Sequence, residues 1–300
     1  MINKIYTPLD KGDTIAIVAP AGLVQSEYIE LAKGLFESWG LCVKLGKNLF
    51  KAYNTFAGTD NERLQDFQEA IDDKNIKAIF CARGGYGSIR IIDKVKWNNF
   101  IKHPKWIIGF SDITIFHSKL AILGYHSLHA PMPVNLSKKE DFASSWWRSL
   151  QNILFGKTSS ISINASDFNN PGKANGVLTG GNLSILYSLL GTPLDTSWEN
   201  KILFIEDLDE HLYHLDRIMN SLKLSGKLEN LNGLLVGHFT NMKDNKRPFG
   251  KTYEEIILDA VRTYNYPVIF NVPIGHEKEN YPLVFGKSIS IDTCKLELQF

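Results

Sequence analysis

Excess charge, paired cysteines and long apolar runs are all missing from this chain of 300 residues. Its formal net charge is +1, and no basic stripe with interleaved aromatic residues occurs, so the sequence predicts no nucleic-acid partner. The three cysteines, Cys42, Cys81 and Cys294, are far apart and form no C-x-x-C pair. This spacing supports neither a disulfide framework nor a zinc cage.

The missing apolar runs bear on membranes and on location. No stretch of about 18 apolar residues exists, and residues 1–13 (MINKIYTPLDKGD) lack the apolar core of a secretion signal. The sequence therefore predicts no membrane partner and a reducing, cytoplasmic setting. What the chain does have is the composition of a globular protein, with 44% hydrophobic residues and enough length for two domains.

Strand and helix patterns alternate through the first half. The apolar run from Thr14 to Ala19 (TIAIVA) ends at Pro20-Ala21-Gly22 and is typical of a buried parallel strand. Further strands are predicted at 41–45, 78–81 and 106–108, and helices at 28–39, 61–71, 89–95 and 113–123. This alternation predicts an α/β fold in which a parallel sheet carries helices on both faces.

The pattern changes after a helix predicted at 146–155. Residues 158–175 are rich in Ser, Asn, Gly and Pro, which is typical of a linker. We therefore predict a first domain at 1–157, a linker at 158–175 and a second domain at 176–300. The second domain is predicted to be smaller and α/β with more antiparallel content, from helices at 183–190 and 212–224 and strands at 201–205, 234–236 and 268–270.

Ser111 lies where a buried strand gives way to a helix, in the segment Gly109-Phe110-Ser111-Asp112. A serine at such a turn exposes its hydroxyl near the positive end of the helix dipole, as in a nucleophile elbow, although the turn is not G-x-S-x-G. The alternative is that Ser111 only caps the helix. The loop Arg83 to Gly87 (RGGYG) follows a neighbouring predicted strand, and ligands bind at this edge of a parallel sheet.

A serine nucleophile needs a base and a carboxylate that orients the base. His276 follows Val-Pro-Ile-Gly in a loop that Pro and Gly make rigid, although a surface histidine is equally compatible with this position. Glu206 and Asp207 follow the apolar strand at 201–205, where a buried acid needs a partner such as an imidazolium. The alternative is that either acid caps the next helix or pairs with Arg217. The weaker histidine candidates are His117, which is expected to pack or to face solvent, and His126, His129, His211, His214 and His238.

Acyl transfer also needs donors for a tetrahedral oxyanion, best supplied by fixed backbone amides. The amide of Asp112, next to the serine, is one candidate. The glycines Gly84 and Gly85 let the backbone approach closely, and they offer a second amide. Read alone, the same glycine loop is equally typical of a phosphate cradle, although no Lys-Ser/Thr pair follows it as in a P-loop.

Five segments together resemble the LD-carboxypeptidase family, the muramoyltetrapeptide carboxypeptidases with a Ser-Glu-His triad. They occur in the family's order and span about two thirds of the chain. They are ARGGYG at 82–87, GFSDIT at 109–114, LTGGNLSIL at 178–186, LFIEDLDEHLYHLDR at 203–217 and VPIGH at 272–276.

The resemblance implies a role for each candidate residue. It makes Ser111 the nucleophile, Glu206 the residue that orients the histidine, and His276 the general base. The oxyanion donors would be the amides of Gly85 and Asp112. We add from the chemistry of a carboxypeptidase that Arg83, with Gly84 beside it, is the candidate to hold the terminal carboxylate of the substrate. The alternative is that Arg83 only braces the loop.

The resemblance also implies a fold, a reaction and a setting. The family has an amino-terminal flavodoxin-like sheet and a carboxyl-terminal domain of swivelling type, with the active site between them. The implied reaction removes terminal D-alanine from a murein tetrapeptide in cytoplasmic cell-wall recycling, without metal or organic cofactor, in a possible homodimer. The loop after Glu206 departs from the family pattern, because Asp209, His211 and His214 stand where Gly or Pro and a basic residue are expected.

Two other functions remain open at this stage. Within the family, an immunity-type serine hydrolase would cleave a peptidyl- or aminoacyl-nucleotide antibiotic and would need an aromatic platform for the base. Trp146, Trp147 and Trp198 are available for that platform, although the first two fit helix packing better. Outside the enzymes, an anion-binding protein would use Ser111 as a cap and the loop Arg83 to Gly87 as a cradle.

Overall fold

The computed structural model describes residues 7–300, so the first six residues of the predicted domain 1–157 lie outside the described range. The described chain divides into two compact units. The first unit contains residues up to Ser159 together with Tyr281–Leu283, and the second contains Ser160–Asn280 together with Val284–Phe300.

The first unit alternates strands and helices. Its strands are β1 (Thr14–Val18), β2 (Cys42–Leu45), β3 (Ile76–Cys81), β4 (Trp106–Gly109) and β5 (Ser127–His129). Its α-helices are α1 (Ser26–Ser38), α2 (Asp60–Asp72), α3 (Asn98–Lys102), α4 (Thr114–Leu123) and α5 (Ser145–Leu154).

These five strands lie in the order β5-β4-β3-β1-β2, and all four pairings between them are parallel. This is the strand order of flavodoxin-like sheets, in which the connections reverse direction beside the first strand. The central strands are mostly apolar and buried, with Lys77 in β3 as the exposed exception, which fits a sheet flanked by helices. The predicted α/β fold with an amino-terminal flavodoxin-like sheet is confirmed.

One predicted helix of this unit is wrong. Residues 89–95 form two short 3₁₀ turns, Ser88–Arg90 and Ile92–Lys94, instead of an α-helix. The backbone at Ile91 (φ −120°, ψ −18°) leaves the helical region between them. The amide of Ser88 is held by the carboxylate of Asp112, which anchors the first turn to another loop.

The second unit also contains both strands and helices. Its strands are β6 (Ser160–Ser162), β7 (Lys173–Asn182), β8 (Lys201–Leu208), β9 (Gly233–Thr240), β10 (Val268–Ile269), β12 (Ser288–Asp292) and β13 (Glu297–Gln299), and the chain's remaining strand is β11 (Leu283–Phe285). Its helices are α6 (Leu183–Ser188), α7 (Leu212–Leu224) and α8 (Tyr253–Val261). The segment 158–175, predicted as a linker, therefore contains β6 and the first residues of β7.

The main sheet of the second unit has the order β10-β9-β8-β7-β12. Its first three pairings are parallel, and β12 joins β7 antiparallel. A second antiparallel pair joins β13 to β6. The expected second α/β region with antiparallel content is confirmed.

Strand β8 continues to Leu208, beyond the predicted end at residue 205. Glu206 and Asp207 therefore lie inside the strand and not after it, which corrects the sequence prediction. A register shift between Ile205 and Asp207 lets β8 keep pairing with β9 as far as Thr240. Both acids are buried, so the fold must supply partners for them.

Gly180 lets β7 pair with β8 in a backbone conformation that a side chain would block. A Cβ on Gly180 would lie 1.9 Å from the carbonyl oxygen of Phe204, and its φ of +138° also disfavours other residues. The last residue of β7, Asn182, thereby comes into register with Glu206. The glycine pair of the LTGGNL segment thus has a packing reason.

Neither a membrane span nor a metal cage is found in the described part of the chain. Over residues 7–300, no helix is long and apolar enough to cross a membrane. Among the same residues, no three His, Cys, Asp or Glu side chains are grouped so that they could hold a metal ion.

Lys105 is a buried cation that terminates helix α2. Its side chain is 1% exposed, and Nζ donates to the carbonyl oxygens of Ala70, Ile71 and Asp73 at 3.1, 2.9 and 2.6 Å. These are carbonyls that the end of the helix leaves without intrahelical donors. Burial lowers the pKa of Lys105 from 10.5 to about 8, and the nearby Asp73 only partly opposes this.

We expect the pKa of Lys105 to make stability depend on pH. Between about pH 8 and 10.5 the unfolded chain holds the Lys105 proton more tightly than the folded chain, so the free energy of unfolding should rise with pH. Urea unfolding at pH 7.5 and 9.5 measures this effect. Between the two pH values, the free energy of unfolding of the wild type should rise by about 1–2 kcal/mol more than that of Lys105→Met. An identical pH dependence in both proteins would contradict this account.

Candidate active site

Ser111 occupies a strained turn directly after β4. Its φ of +63° lies in the left-handed region, which costs a residue with a side chain about 1–2 kcal/mol. A single 3₁₀ turn, Ser111–Ile113, leads into α4, whose N-cap is Ile113. The structure therefore does not place Ser111 at the N-cap of α4, and strain of this kind is frequent at functional turns.

The glycine loop after β3 lies against this turn. A Cβ on Gly84 would lie 2.9 Å from Ser111 Cβ, 3.1 Å from Ser111 Oγ and 3.3 Å from the amide nitrogen of Asp112. The amide of Gly22, after β1, donates to the carbonyl of Gly84 at 2.9 Å. Gly85 has a φ of +93°. Three strand ends of the first sheet therefore meet around the Ser111 hydroxyl.

Arg83 is exposed, and its Nη1 donates to the carbonyl oxygen of Leu23 at 2.9 Å. This contact braces the glycine loop against the loop after β1. The predicted substrate contact of Arg83, and the predicted oxyanion contacts of the Gly85 and Asp112 amides, stay predictions.

In the second unit, His276 and Glu206 form a close pair. His276 Nδ1 lies 2.6 Å from Glu206 Oε2, and the two side chains are 14% and 0% exposed. A hydrogen on Nδ1 donates to the carboxylate, which leaves the lone pair of Nε2 able to accept a proton. A carboxylate thus orients an imidazole, as a serine hydrolase requires.

The charge of Glu206 also sets the basicity of the imidazole. Burial by itself lowers the pKa of His276, but the charge and hydrogen bond of Glu206, with help from Asp207 and Asp209, outweigh it and raise the pKa. The imidazole is therefore a stronger base than an ordinary histidine.

Asp207, the neighbour of Glu206, has a different task. It accepts from Asn182 Nδ2 at 2.9 Å, and from the amide and hydroxyl of Ser184 at 3.0 and 2.8 Å, at the start of α6. Burial, then the charge of Glu206, raises its pKa to about 6. Asp207 therefore caps α6, which precedes it in the chain, whereas the N-cap of the following helix α7 is His211. The predicted cap of the next helix is wrong, and the other acid, Glu206, contacts the histidine. Arg217 lies over the ring of Tyr213, 5.4 Å from its centroid.

Gly275 explains the glycine of the VPIGH segment. Its φ is +140°, and a Cβ there would lie 3.3 Å from Glu206 Oε2 and 3.1 Å from His238 Cβ. A side chain at this position would push the backbone of His276 away from the carboxylate.

The other histidines occupy different surroundings. His117 is buried under the serine turn, where Nε2 donates to the carbonyl oxygen of Gly109 at 2.8 Å and Nδ1 accepts from Ser127 Oγ at 2.9 Å. Burial lowers the pKa of His117 to about 4, so it stays neutral. His126 and His129 are buried, His214 pairs with Glu210, His211 is the N-cap of α7, and burial lowers the pKa of His238.

Two of the three candidate tryptophans are buried, whereas Trp146 is half-buried. Trp147 is fully buried beside Phe36 and Trp39, and Trp198 is buried in the core of the second unit. Trp146 packs edge-on against Tyr281. The expectation of helix packing for Trp147 is confirmed by its burial.

Several residues that build the site were not singled out from the sequence. Asn182 and Ser184 bind Asp207 at the start of α6. The sequence feature that could have identified them is the LTGGNLSIL segment, which contains both. Arg63 on α2 is buried under the glycine loop, and an arginine on a polar-faced helix gives no such signal.

The first unit therefore gathers Ser111, Asp112 and the glycine loop, and the second unit gathers Glu206 and His276. Comparison with known proteins gives the same two halves. The family model described as the LD-carboxypeptidase N-terminal domain matches residues 15–130, and the one described as its C-terminal domain matches residues 175–291.

Relatives match over nearly the whole chain. A probable murein peptide carboxypeptidase of Bacillus subtilis strain 168 is 36% identical over 297 residues, which cover 97% of this chain and 92% of the relative. The crystal structure of muramoyltetrapeptide carboxypeptidase from Oxalobacter formigenes aligns with a TM-score of 0.86 and 28% identity, over 95% of this chain and 97% of that one.

A second group of structures shares the fold. The microcin C7 self immunity protein MccF, in complex with aspartyl sulfamoyl adenosine, aligns with a TM-score of 0.85 over 99% of this chain and 98% of that one. Its sequence identity is 21%, so it supports the fold alone. Because both family models and the relatives agree, the chain belongs to the LD-carboxypeptidase family of serine peptidases.

Proposed function

We propose that this protein is a serine carboxypeptidase that removes the terminal D-alanine from murein tetrapeptides. The observation that carries the proposal is the Glu206–His276 pair at 2.6 Å, since a buried carboxylate that orients an imidazole is the base that a serine nucleophile needs. The names of the relatives, murein peptide carboxypeptidase and muramoyltetrapeptide carboxypeptidase, supply the substrate class.

In the proposed reaction His276 Nε2 takes the hydroxyl proton of Ser111, and Oγ attacks the carbonyl carbon that precedes D-alanine. The amides of Gly85 and Asp112 hold the oxyanion of the tetrahedral intermediate. His276 then gives its proton to the leaving amine, so that free D-alanine departs and an acyl-enzyme remains. A water, deprotonated by His276, hydrolyses this ester and restores the serine. Arg83 and Gly84 are proposed to hold the carboxylate of the leaving D-alanine.

The setting and the assembly belong to the same proposal. We infer a cytoplasmic enzyme of cell-wall recycling that acts on a small peptide and forms a homodimer. The first domain, 1–157, carries the nucleophile, residues 158–175 link the domains, and the second domain, 176–300, carries Glu206 and His276.

The alternative within the family is hydrolysis of a peptidyl- or aminoacyl-nucleotide, suggested by the likeness to MccF. The burial of Trp147 and Trp198 argues against it, because neither ring is left to stack on a base. Carboxypeptidase activity on murein tetrapeptide therefore remains the proposed function.

Removal of the Ser111 hydroxyl tests the nucleophile. We expect Ser111→Ala to lower kcat for D-alanine release from murein tetrapeptide by about 10³-fold or more, since the members of a triad act as a unit. The measurement is the release of free D-alanine from purified tetrapeptide. Hydrolysis of aspartyl sulfamoyl adenosine is assayed in parallel to test the alternative function. Turnover at the wild-type rate by Ser111→Ala would remove this serine from the mechanism, and hydrolysis of the nucleotide alone would favour the alternative.

The pH profile tests the Glu206–His276 pair. The base must be neutral, so kcat/KM should rise with pH through the pKa of His276, which Glu206 raises above that of an ordinary histidine. Glu206→Gln removes this charge, lowers the pKa of His276 and should move the rising limb to lower pH, with a lower plateau. A limb that keeps its position in Glu206→Gln would exclude this carboxylate as the partner.

The fit of Gly84 against Ser111 gives a third test. A methyl group at Gly84 would lie 2.9 Å from Ser111 Cβ, so Gly84→Ala should displace the serine turn and lower kcat by about 10- to 100-fold. The matched control is Gly34→Ala in α1, where the added carbon would come no closer than 3.9 Å to a neighbouring side chain. Equal activity of the two variants would show that the contact at Ser111 has no effect on turnover.

A further inference from the structure

Arg63 is a buried charge that the proposed reaction leaves without a role. It lies on α2 and is 1% exposed, although guanidinium groups are seldom buried unless they are paired. Nη2 pairs with Asp60 at 2.5 Å, and Nη1 donates to the carbonyl oxygens of Pro20 and Gly87, the latter at 3.0 Å. One side chain therefore joins the loop after β1 to the glycine loop after β3.

Asp112 binds Ser88, the residue that follows Gly87. Its carboxylate is buried, and Oδ2 accepts from the backbone amide of Ser88 at 2.8 Å. Gly87 is thus held through its carbonyl by Arg63, and Ser88 through its amide by Asp112. The two opposite charges also attract each other across this loop.

The guanidinium of Arg63 packs closely against Gly87 and Phe56. A Cβ on Gly87 would lie 2.6 Å from Arg63 Nη1, and the φ of Gly87 is +141°. The guanidinium carbon lies 5.0 Å from the centroid of the Phe56 ring, within cation–π range. A planar cation is therefore enclosed between a ring, a glycine and two carbonyl groups.

We propose that Arg63 and Asp112 are positioning residues that keep the two oxyanion donors, the amides of Gly85 and Asp112, at a fixed separation. The proposal rests on the proposed function, in which those amides stabilise the intermediate. Gly84 and Gly85 leave the loop conformationally free, so its geometry has to be imposed from outside. Preorganised donors are effective because they need no reorganisation during the reaction. Arg63 constrains the loop from α2 through the carbonyl of Gly87, and Asp112 constrains it from the serine turn through the amide of Ser88.

The test compares Arg63→Met with Arg90→Met in the full-length protein. Arg90 is the exposed second partner of Asp60, with Nε 2.9 Å from the carboxylate, so it matches Arg63 in charge. Its side chain meets the side chain of Tyr86 at the surface of the loop, whereas Arg63 binds the loop backbone at Gly87 from the buried side. We expect Arg63→Met to lower kcat for D-alanine release by about 10- to 100-fold with KM within about threefold, because geometry and not binding is lost. Arg90→Met should stay within about twofold of wild type for both parameters.

Amide hydrogen–deuterium exchange supplies the second readout. Exchange of the peptide over residues 83–88 should become faster in Arg63→Met, whereas exchange of β8 in the other unit should not change. Arg63→Lys should resemble Arg63→Met, because an ammonium group lacks the planar fork that reaches Asp60, Pro20 and Gly87 together. If Arg63→Met does not fold, Gly87→Ala serves instead, since its methyl group displaces Nη1 without removing any charge.

A kcat within twofold of wild type in Arg63→Met, or in Gly87→Ala if the first does not fold, would overturn the proposal. A fall in kcat that is fully accounted for by the unfolded fraction at the assay temperature, with unchanged exchange over 83–88, would overturn it too. Ser111→Ala, assayed alongside, separates the two levels. Activity that survives in Ser111→Ala refutes the proposed function, whereas loss there with normal kcat in Arg63→Met refutes only the positioning role.

Discussion

A carboxylate with no exposed surface in the middle of a strand is the constraint around which the second unit is organised. Glu206 lies in β8 with apolar residues before it, and a buried charge must be paired and hydrogen-bonded to be tolerated. Its partner is the imidazole of His276, which a glycine at 275 allows to approach. The pairing of β7 with β8 at Gly180 and the cap made by Asp207 complete the surroundings of that pair.

The parts of this arrangement that the sequence predicts are those with a local signature. Apolar runs that end in glycine or proline located β1, β3 and β4, and the alternation of strands with helices gave the parallel sheet. The pairing of Glu206 with His276, which lie 70 positions apart, has no local signature and is predicted only by the chemistry of a serine nucleophile together with the family resemblance. The end of β8 was misplaced, since two adjacent acids favour a loop unless tertiary partners are known.

The parts that the sequence does not predict depend on contacts between distant segments. Arg63 lies on a helix whose other residues are mostly polar, so nothing in the pattern distinguishes a buried arginine from an exposed one. Two 3₁₀ turns at residues 88–94 replace a predicted helix, and Asp112 holds the Ser88 amide of the first turn from another loop. Local propensity cannot anticipate an anchor of that kind.

The left-handed backbone of Ser111 has a consequence for how this sequence can drift. Glycine adopts such a positive φ without steric strain, so Ser111→Gly would relax the turn while removing the hydroxyl. Under the proposed mechanism, a substitution that relaxes this turn and stabilises the protein would therefore also remove the nucleophile. A descendant of this sequence that is no longer selected for the hydroxyl should therefore lose the serine early.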